Sequence, residues 1–544
     1  MAKRQEQFAI RKNLKAGELD AEADEQLMQA CFYDKGDIDL LADVGDPKAV
    51  IAGRTGSGKT ALLLRLQRQA EHASKLDPHD VSVRFLENSN IIQFLNELGI
   101  KLDLFYRVLW RHVLTVELVK LRYELKSEND SRGFWDSIRT WAGKDQAKKK
   151  ALDYFSEWGD RFWINTDEHL KELTKKFSKD VQANLKANGE ALELSANGAR
   201  RLSEETRTEL KQRASEAVNK IQIQKLDQVV QLLGDYAFRD RQKRYYILID
   251  KLDEDWADTQ TRLQFIRALI EEIKYFRNIG QIKIIIALRV DLLQIVFDKT
   301  RGSGFQQEKY ESLICSLRWS EGEIKALIEK RLNKIFEDQY TGRSLSFSDI
   351  FPSPKKGGGQ KPEDYIIERT LFRPRDALQY VNECFELAAD RGGISWRVIR
   401  GAEAVYSRKR MNSLKEEWEE IYPDLIDTLE VLRGLKSSFT RSDLSEDRIE
   451  SVAEVVCGSG SSDPCVMCMD RFYSPDSKIK QFDLVYELIA CFYRIGAIGI
   501  KVSSLDTFSW SHIDQPYIGK SEVKRSNQLK VHKMLHRELE IKDS

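Results

Sequence analysis

The chain has 544 residues, which at about 150 residues per domain indicates roughly three or four domains. Hydrophobic residues make up 41% of the chain, enough for packed cores, whereas Lys and Arg balance Asp and Glu at 87 each. The zero net charge excludes a global electrostatic attraction to nucleic acid, so any nucleic-acid site has to be a local basic patch.

Cysteine use and hydropathy predict a soluble, cytoplasmic protein. Seven cysteines are an odd and ordinary count for so long a chain, which is typical of a reducing compartment. Residues 1–7 lack the apolar stretch of a secretory signal. The longest apolar stretch, Leu484 to Ile500, is interrupted by Glu487 and Arg494, so we expect no membrane span and no membrane partner.

A glycine-rich motif follows the first predicted strand. Residues 1–30 are polar and are expected to form a helical segment, and the apolar run Ala49–Gly53 then predicts a strand. The run Gly53–Thr60 fits G-x-x-x-x-G-K-[ST] and leads into an apolar helix start at Ala61. This context predicts a phosphate-binding loop that holds ATP. The predicted cofactor-binding residues of this loop are Gly53, Arg54, Thr55, Gly56, Ser57, Gly58, Lys59, Thr60 and Ala61.

The residue types of this loop suit phosphate chemistry. Glycines allow successive backbone N–H groups to turn inward around phosphate oxygens, and the helix N-terminus adds its positive dipole end. Lys59 is predicted to act in catalysis by reaching the β- and γ-phosphates, and the Thr60 hydroxyl to ligate Mg²⁺. A Gly/Ser surface loop that matches by chance is the competing interpretation, and the strand and helix around the motif argue against it.

The region after the loop is predicted to be mostly helical, with the first helix running to about His72. Alternating apolar residues indicate a second strand within 78–87, and apolar spacing of three and four residues predicts a helix over 90–125. Residues 126–235 are rich in charge and poor in Gly and Pro, which predicts a long helical insertion. Its charged faces are either solvated or form an arm that contacts a partner or nucleic acid.

Two near-continuous apolar runs predict buried parallel strands, and the first of them ends beside a group of acids. Arg244–Ile249 is followed by Asp250, which is predicted to bind Mg²⁺. Asp253 is the first candidate for the catalytic acid that activates water, and Glu254 is the second. The alternative is a solvated acidic turn.

The second apolar run, Gln281–Arg289, ends in an arginine. Ligands of parallel α/β sheets bind outside the carboxyl ends of the strands, so Arg289 is predicted to act in catalysis by sensing γ-phosphate charge. A salt bridge to a neighbouring acid such as Asp291 is the competing interpretation.

Two further arginines lie at a predicted helix start. Arg373 and Arg375 flank Pro374, a residue suited to the first turn of a helix, here predicted over Arg369–Leu387. From a helical lid either arginine would reach a bound nucleotide, and both are predicted to bind the cofactor. A capped surface helix is the alternative.

The rest of the chain is predicted from capping and turn signals. Ser320, with Glu323 three residues later, predicts a capping box at the start of a helix. Ser395–Met411 predicts another helix. Near the end, the apolar run 495–502 followed by residues 503–518 predicts a two-stranded wing.

Together these motifs resemble those of bacterial P-loop ATPases of the KAP/STAND type, which are relatives of the AAA+ and Orc-like ATPases. The resemblance rests on the glycine-rich motif, on Ile247–Asp253, on Ala287–Arg289 and on Arg373–Asp376. The helix opening Leu317–Ser320 is also similar to that of one prokaryotic branch often found in mobile or phage-defence gene neighbourhoods.

The chain departs from the family patterns between its two acids. KAP-type members usually carry Asp-Asp-Leu-Asp, where this chain has Asp250, Lys251, Leu252 and Asp253. AAA+ members place a Glu where this chain has Lys251. The family pattern therefore favours Asp253 as the acid that activates water.

The resemblance implies an α/β fold, with a P-loop NTPase parallel sheet, a long helical insertion, a helical lid and a C-terminal winged-helix-like domain. Its domains would be an N-terminal segment (1–30), an ATPase core (31–345) containing the insertion (126–235), the lid (346–412) and the winged-helix-like domain (413–544). The implied function is an ATP-hydrolysing, Mg²⁺-dependent switch in DNA-related processes or anti-phage defence. A nucleotide-gated DNA-binding module with little hydrolysis is the alternative. The sequence leaves open whether the target is DNA or a partner protein, and whether the chain forms a homo-oligomer.

Overall fold

The structure is a computed structural model, and every statement below concerns the residues that it describes. These are residues 9–78, 90–100, 102–143, 166–185, 195–200, 203–204, 206–208, 210–212, 230–231, 234–254, 259–299, 308–338, 345–354, 359–503, 505–526 and 528–543.

The chain forms two compact units, which we describe one at a time. The sheet unit consists of Asp34–Gly53 and Lys59–Leu317. The helical unit consists of Met1–Tyr33, Arg54–Gly58 and Arg318–Ser544. The glycine-rich motif is therefore shared, since residues 54–58 pack with the helical unit and the residues on either side of them with the sheet unit. The predicted four-domain division stays a prediction.

A five-stranded parallel sheet organises the sheet unit, which confirms the predicted α/β class. Its spatial order is β2-β3-β4-β1-β5, so that β4 lies between β1 and β3. Every residue of β1 and β3 is buried, as expected for strands covered on both faces. The strands are β1 (Val50–Gly53), β2 (His72–Leu76), β3 (Tyr245–Ile249), β4 (Ile282–Arg289) and β5 (Ile314–Ser316).

The second strand of the sheet lies elsewhere than predicted. The helix after the glycine-rich motif ends at Gln69, and His72–Leu76, expected in part to be helical, is β2. This edge strand has mostly half-buried side chains and no apolar run, so its pairing with β3 decides its structure. The predicted strand within 78–87 lies outside the described residues, apart from Pro78.

Several helices of the sheet unit contact the strands of this sheet, among them Lys59–Gln69, Asp103–Tyr123 and Thr259–Phe276. The helix predicted over 90–125 is two helices, because Gly99 adopts a left-handed φ of 68° between them. The described parts of the predicted insertion are helical. The helices are Asp37–Ala42, Lys59–Gln69, Asn90–Glu97, Asp103–Tyr123, Glu128–Ala142, Thr166–Leu185, Ala196–Arg200, Thr259–Phe276, Val290–Lys299 and Glu308–Glu311.

The helical unit has its own apolar core. Its capping box at Ser320 and Glu323 is confirmed. The helix predicted from Arg369 starts at Pro374, because Arg373 is extended, and the helix predicted to end at Met411 continues to Trp418. The α-helices are Glu25–Ala30, Glu321–Phe336, Phe347–Ile350, Pro362–Ile367, Pro374–Leu387, Trp396–Trp418, Leu425–Leu429, Glu446–Val456, Pro464–Phe472, Gln481–Ile495 and Lys520–Arg525, with 3₁₀ turns at Glu430–Leu432, Arg441–Asp443 and Lys533–Leu535.

A three-stranded antiparallel sheet lies near the C-terminus, in the order β6-β8-β7. The first strand of the predicted wing is β7. Its main partner is β8, whereas residues 503–518 contribute a bridge between Ile500 and Ser509. The strands are β6 (Ser438–Phe439), β7 (Ile498–Lys501) and β8 (Gln528–Val531).

Among the helices of the described ranges, none is both long and apolar enough to cross a bilayer.

Candidate functional site

The glycine-rich motif connects β1 to the helix Lys59–Gln69. Gly56 and Gly58 have φ values of 78° and 96°, in the left-handed region that disfavours side chains. The sequence therefore uses glycine where the turn requires it. Thr60 and Ala61 lie in the first turn of the helix.

In the sheet unit, Lys59 is buried at the start of its helix. Its Nζ donates to the Gly53 carbonyl at 3.3 Å, and the residue is 9% exposed. Burial lowers the pKa of Lys59, while the nearby Asp253 and Asp250 raise it and Arg289 lowers it again. The structure thus brings together the two predicted acids and the predicted arginine around one buried ammonium group.

Asp250 follows the last residue of β3 and is 4% exposed. One carboxylate oxygen accepts from the Lys251 N–H at 3.0 Å, and the Thr60 hydroxyl is close enough to lower the pKa of the carboxylate. The other oxygen, Oδ2, is buried without a hydrogen-bond partner in the described part of the chain. Burial raises the pKa of Asp250, against the lowering effects of Thr60 and Lys59.

The two candidate catalytic acids differ in environment. Asp253 is half-buried and has the largest charge effect on Lys59. Glu254 is exposed, and its backbone carbonyl accepts from Arg262 at 3.2 Å. Lys251, in the turn between Asp250 and Asp253, has a left-handed φ of 59°. Of the two acids, Asp253 is the one whose charge raises the pKa of Lys59.

Arg289 ends β4, between the strands that carry the glycine-rich motif and Asp250. Its backbone pairs with Gly53 in the sheet register. Its guanidinium forms two hydrogen bonds with Asp291, at 3.1 and 2.6 Å, which is the salt bridge that the sequence left as the competing interpretation. The charge of Arg289 nevertheless lowers the pKa of Lys59.

In the helical unit, three successive carbonyls of the motif accept hydrogen bonds. The Thr55 carbonyl accepts from Arg373 Nη1 at 2.9 Å, and the Gly56 carbonyl from the Arg375 N–H at 3.3 Å. The Ser57 carbonyl accepts from the Trp319 indole at 2.7 Å. These donors hold the backbone of residues 54–58.

Two further contacts fix the same segment. Arg54 donates through Nη2 to the Arg494 carbonyl at 2.8 Å. Arg375 donates through Nε to the Leu19 carbonyl at 3.1 Å, and its aliphatic carbons lie where a Cβ on Gly56 would be only 2.8 Å away. A side chain at Gly56 would therefore clash as well as strain the turn.

Arg373 is the centre of a buried ion-pair network and is 2% exposed. Its guanidinium contacts Asp376 at 3.0 Å and Glu417 at 2.9 Å, and Arg410 contacts the other oxygen of Asp376 at 3.2 Å. Burial lowers the pKa of Arg373, but Asp376 and Glu417 raise it above its ordinary value. Arg373 and Arg375 therefore contact the loop backbone, and their predicted nucleotide binding stays a prediction.

Sequence reasoning missed Trp319 and Glu417 as neighbours of the motif. The sequence indicates Trp319 only as part of a helix opening, and Asp376 only as the last residue of the stretch Arg373–Asp376. A buried charge with two arginine partners leaves no periodic signal in the sequence, because its partners come from other helices.

The hydroxyls of Thr55 and Ser57 are buried and have no hydrogen-bond partner among the described residues.

Comparison with known proteins gives two findings. Residues 322–415 match the family model of the FunZ-associated C-terminal helical domain. A protein of Escherichia coli (strain K12), named "Putative transposon gamma-delta 80.3 kDa protein", is 22% identical over 515 residues. The aligned region is 91% of this chain and 63% of that relative, so the chain spans less than two thirds of the relative's length.

Proposed function

We propose that the chain is a P-loop ATPase that binds and hydrolyses ATP and acts as a nucleotide-driven switch. The observation that carries the proposal is the buried Lys59, which follows a glycine-rich turn and lies beside Asp250 and Asp253. A buried ammonium group costs free energy, and such groups are retained where they bind a charged ligand. A phosphate group is the ligand that this loop chemistry suits.

The described residues fit Mg²⁺ and phosphate. Thr60 and Asp250 would hold Mg²⁺, which prefers oxygen ligands and keeps several waters, and the unpartnered Oδ2 of Asp250 is available to it. In the described ranges, no group of three or more His, Cys, Asp or Glu side chains could hold a metal ion. Bound Mg²⁺ supplies positive charge that neutralises the phosphate oxygens.

Side chains of the glycine-rich motif also suit a bound phosphate group. The buried hydroxyls of Thr55 and Ser57 are unpartnered donors, and phosphate oxygens accept from such groups. Lys59 would bind the β- and γ-phosphates, which replaces part of the hydration that burial removes.

Asp253 is the residue that we propose to orient and deprotonate the attacking water. It lies within electrostatic reach of Lys59, whereas Glu254 is exposed. Arg289 would respond to the γ-phosphate by exchanging its bond with Asp291 for one with phosphate. Such an exchange of partners is how a bound nucleotide alters the surrounding structure.

The setting that we propose for this switch is DNA-related. The name of the E. coli relative contains the word transposon. The antiparallel sheet β6-β8-β7, preceded by short helices, supports a winged-helix-like domain near the C-terminus. The matched helical domain supports the helical lid.

Removing the lysine tests the proposal. Lys59→Ala is expected to lower the ATP turnover of the full chain by more than about 100-fold, because the charge that binds the phosphates is lost. Arg68→Ala, which removes an exposed cation from the last turn of the same helix, is the matched control and should hydrolyse ATP normally. Phosphate release and nucleotide-free melting of both variants are measured. Unchanged turnover in a folded Lys59→Ala variant would contradict the site.

A nucleotide-gated DNA-binding module with little hydrolysis is the second candidate. The transposon name of the relative favours it, together with the C-terminal helix Lys520–Arg525, whose last turn is basic. Binding of duplex DNA by the full chain, titrated with salt in the presence and absence of ATP, separates the two functions. Tight, ATP-dependent binding with negligible ATP turnover would favour the module over the ATPase.

A further inference from the structure

Trp319 contacts the glycine-rich motif but has no part in the function proposed above. It precedes Ser320, the N-cap of the helix Glu321–Phe336, so its backbone is held at a fixed helix start. Its indole N–H donates to the Ser57 carbonyl at 2.7 Å, and its ring lies 6.0 Å from the ring of Tyr33. All of these residues belong to the helical unit. The side chain is therefore held at both ends.

A carbonyl that is held in place sets the direction of the N–H group beside it. In a trans peptide the C=O of one residue and the N–H of the next point in opposite directions, and the peptides of this loop are trans. Since the Ser57 carbonyl faces Trp319, the Gly58 N–H points away from the indole. In the same way, the Thr55 carbonyl faces Arg373, which turns the Gly56 N–H away from the guanidinium.

We propose that Trp319 is a positioning residue for bound triphosphate, because its hold on the Ser57 carbonyl aims the Gly58 N–H at a phosphate oxygen. This inference rests on the proposed nucleotide binding. The buried, unpartnered hydroxyl of Ser57 is an independent sign that this stretch meets a polar ligand. An indole suits the task because it donates one hydrogen bond, accepts none and carries no charge, so it competes with neither the loop nor the phosphate.

The chain offers a closely matched control for this residue. Trp396 also lies at a helix start, beside the N-cap Ser395. Its indole N–H donates to a backbone carbonyl, that of Ser353, at 3.1 Å, and its ring lies 5.6 Å from an aromatic ring, that of Tyr365. Trp319→Phe and Trp396→Phe therefore remove the same donor and leave a ring in the same kind of setting.

We expect Trp319→Phe to raise both the Kd and the KM for ATP about fivefold, since one hydrogen bond is lost from the support of the loop. Its kcat should stay within about twofold, because the aimed N–H groups bind substrate and transition state alike. Trp396→Phe should leave all three constants unchanged. Both variants should melt at the temperature of the unaltered chain without nucleotide.

Three results would overturn the positioning role. A folded Trp319→Phe variant with unchanged ATP affinity would do so, as would an equal loss of affinity in Trp396→Phe. The third comes from the unaltered chain labelled with ¹⁵N-tryptophan, where at least one of the ten indole N–H resonances should shift when ATP binds. Binding without any shift would overturn it. Failure of the unaltered chain to bind ATP would instead overturn the proposed function.

Discussion

Two buried arginine networks of the same chemistry have different consequences in the two units. In the sheet unit, Glu272 is fully buried and accepts from Arg111 at 2.6 Å and from Arg107 at 2.9 Å. The partners come from two helices, Asp103–Tyr123 and Thr259–Phe276. This network joins two helices of the core to one another, and nothing in its geometry points to a ligand.

In the helical unit, Asp376 has the same kind of environment, between Arg373 and Arg410. Burial raises the pKa of Asp376, yet the two arginines hold it below its ordinary value. The difference lies in one further hydrogen bond, from Arg373 to the Thr55 carbonyl in the glycine-rich motif. Burial and ion pairing alone therefore do not mark a functional arginine. What distinguishes Arg373 is its hydrogen bond to the glycine-rich motif, for which we propose nucleotide binding.

The largest expected effect comes from neutralising the central carboxylate of each network. Asp376→Asn and Glu272→Gln should each lower the free energy of unfolding by on the order of 3 kcal/mol, because each deprives a buried guanidinium group, Arg410 or Arg111, of its carboxylate partner. Denaturant unfolding in the absence of nucleotide measures this loss. The two variants should be alike in that measurement.

The two variants should differ in nucleotide affinity. Asp376→Asn weakens the hold on Arg373 and hence on the Thr55 carbonyl, so its Kd for ATP should rise about tenfold at a temperature where it is folded. Glu272→Gln should bind ATP normally under the same conditions. An equal loss of affinity in both would show that general stability, and not the contact with the loop, governs binding.

Neutralising Asp250, a buried acid without an arginine partner, should instead raise the free energy of unfolding. Burial raises the pKa of Asp250, so the fold favours its protonated form. Its contribution to stability is present at a pH below about 3.8 and is lost as the pH rises through the raised pKa. At pH 7 the ionised carboxylate therefore destabilises the nucleotide-free protein.

Asp250→Asn replaces that carboxylate with a neutral group of the same shape. We expect the nucleotide-free variant to gain about 1 kcal/mol in free energy of unfolding at pH 7, a gain that vanishes near pH 3, while ATP turnover is lost. Denaturant unfolding at the two pH values and phosphate release measure these changes. A variant less stable than the unaltered chain at pH 7 would show that Asp250 is adequately paired in the free protein.

The contrast between these groups also shows how far sequence reasoning reaches. The strands β1, β3 and β4 were predicted because each is an apolar run bounded by polar residues, a pattern that burial on both faces requires. The edge strand β2 was missed because its side chains are half-buried, and its structure depends on pairing with β3. Local pattern decides central strands, and tertiary pairing decides edges.

For the candidate site, the sequence predicted the residues but not their partners. Lys59, Asp250 and Asp253 converge because strand ends of a parallel sheet share one edge, and this follows from the topology. The direction of the Arg373 side chain does not follow from any spacing, since a helix start allows it to face nucleotide, solvent or a buried acid. Only packing shows that it binds Asp376 and Glu417.

The smallest expected effect is a change in stability with pH, and it comes from two histidines whose neutral form the fold favours. In the helical unit, His532 is buried and His512 is half-buried, and their ring centroids lie 5.3 Å apart. Burial lowers the pKa of His512, helped by His532 and Arg54, and burial with His536 lowers the pKa of His532 to about 3. The fold therefore favours neutral rings. Their stabilisation is present above about pH 6.5, the ordinary value, and is lost as the pH falls toward the lowered values.

Each of these histidines should thus make the unfolding free energy fall by about 1 kcal/mol between pH 7 and pH 5.5, where arginine ion pairs keep their charge. His512→Phe, which keeps a ring beside Trp510 and Phe372, should make the decline shallower by that amount. Denaturant unfolding at both pH values, compared with Trp396→Phe as a variant that leaves the histidines in place, measures the difference. An identical decline in both variants would show that His512 becomes protonated within the folded protein. A charged His512 ring would then destabilise the protein less than the loss of charge in an arginine network.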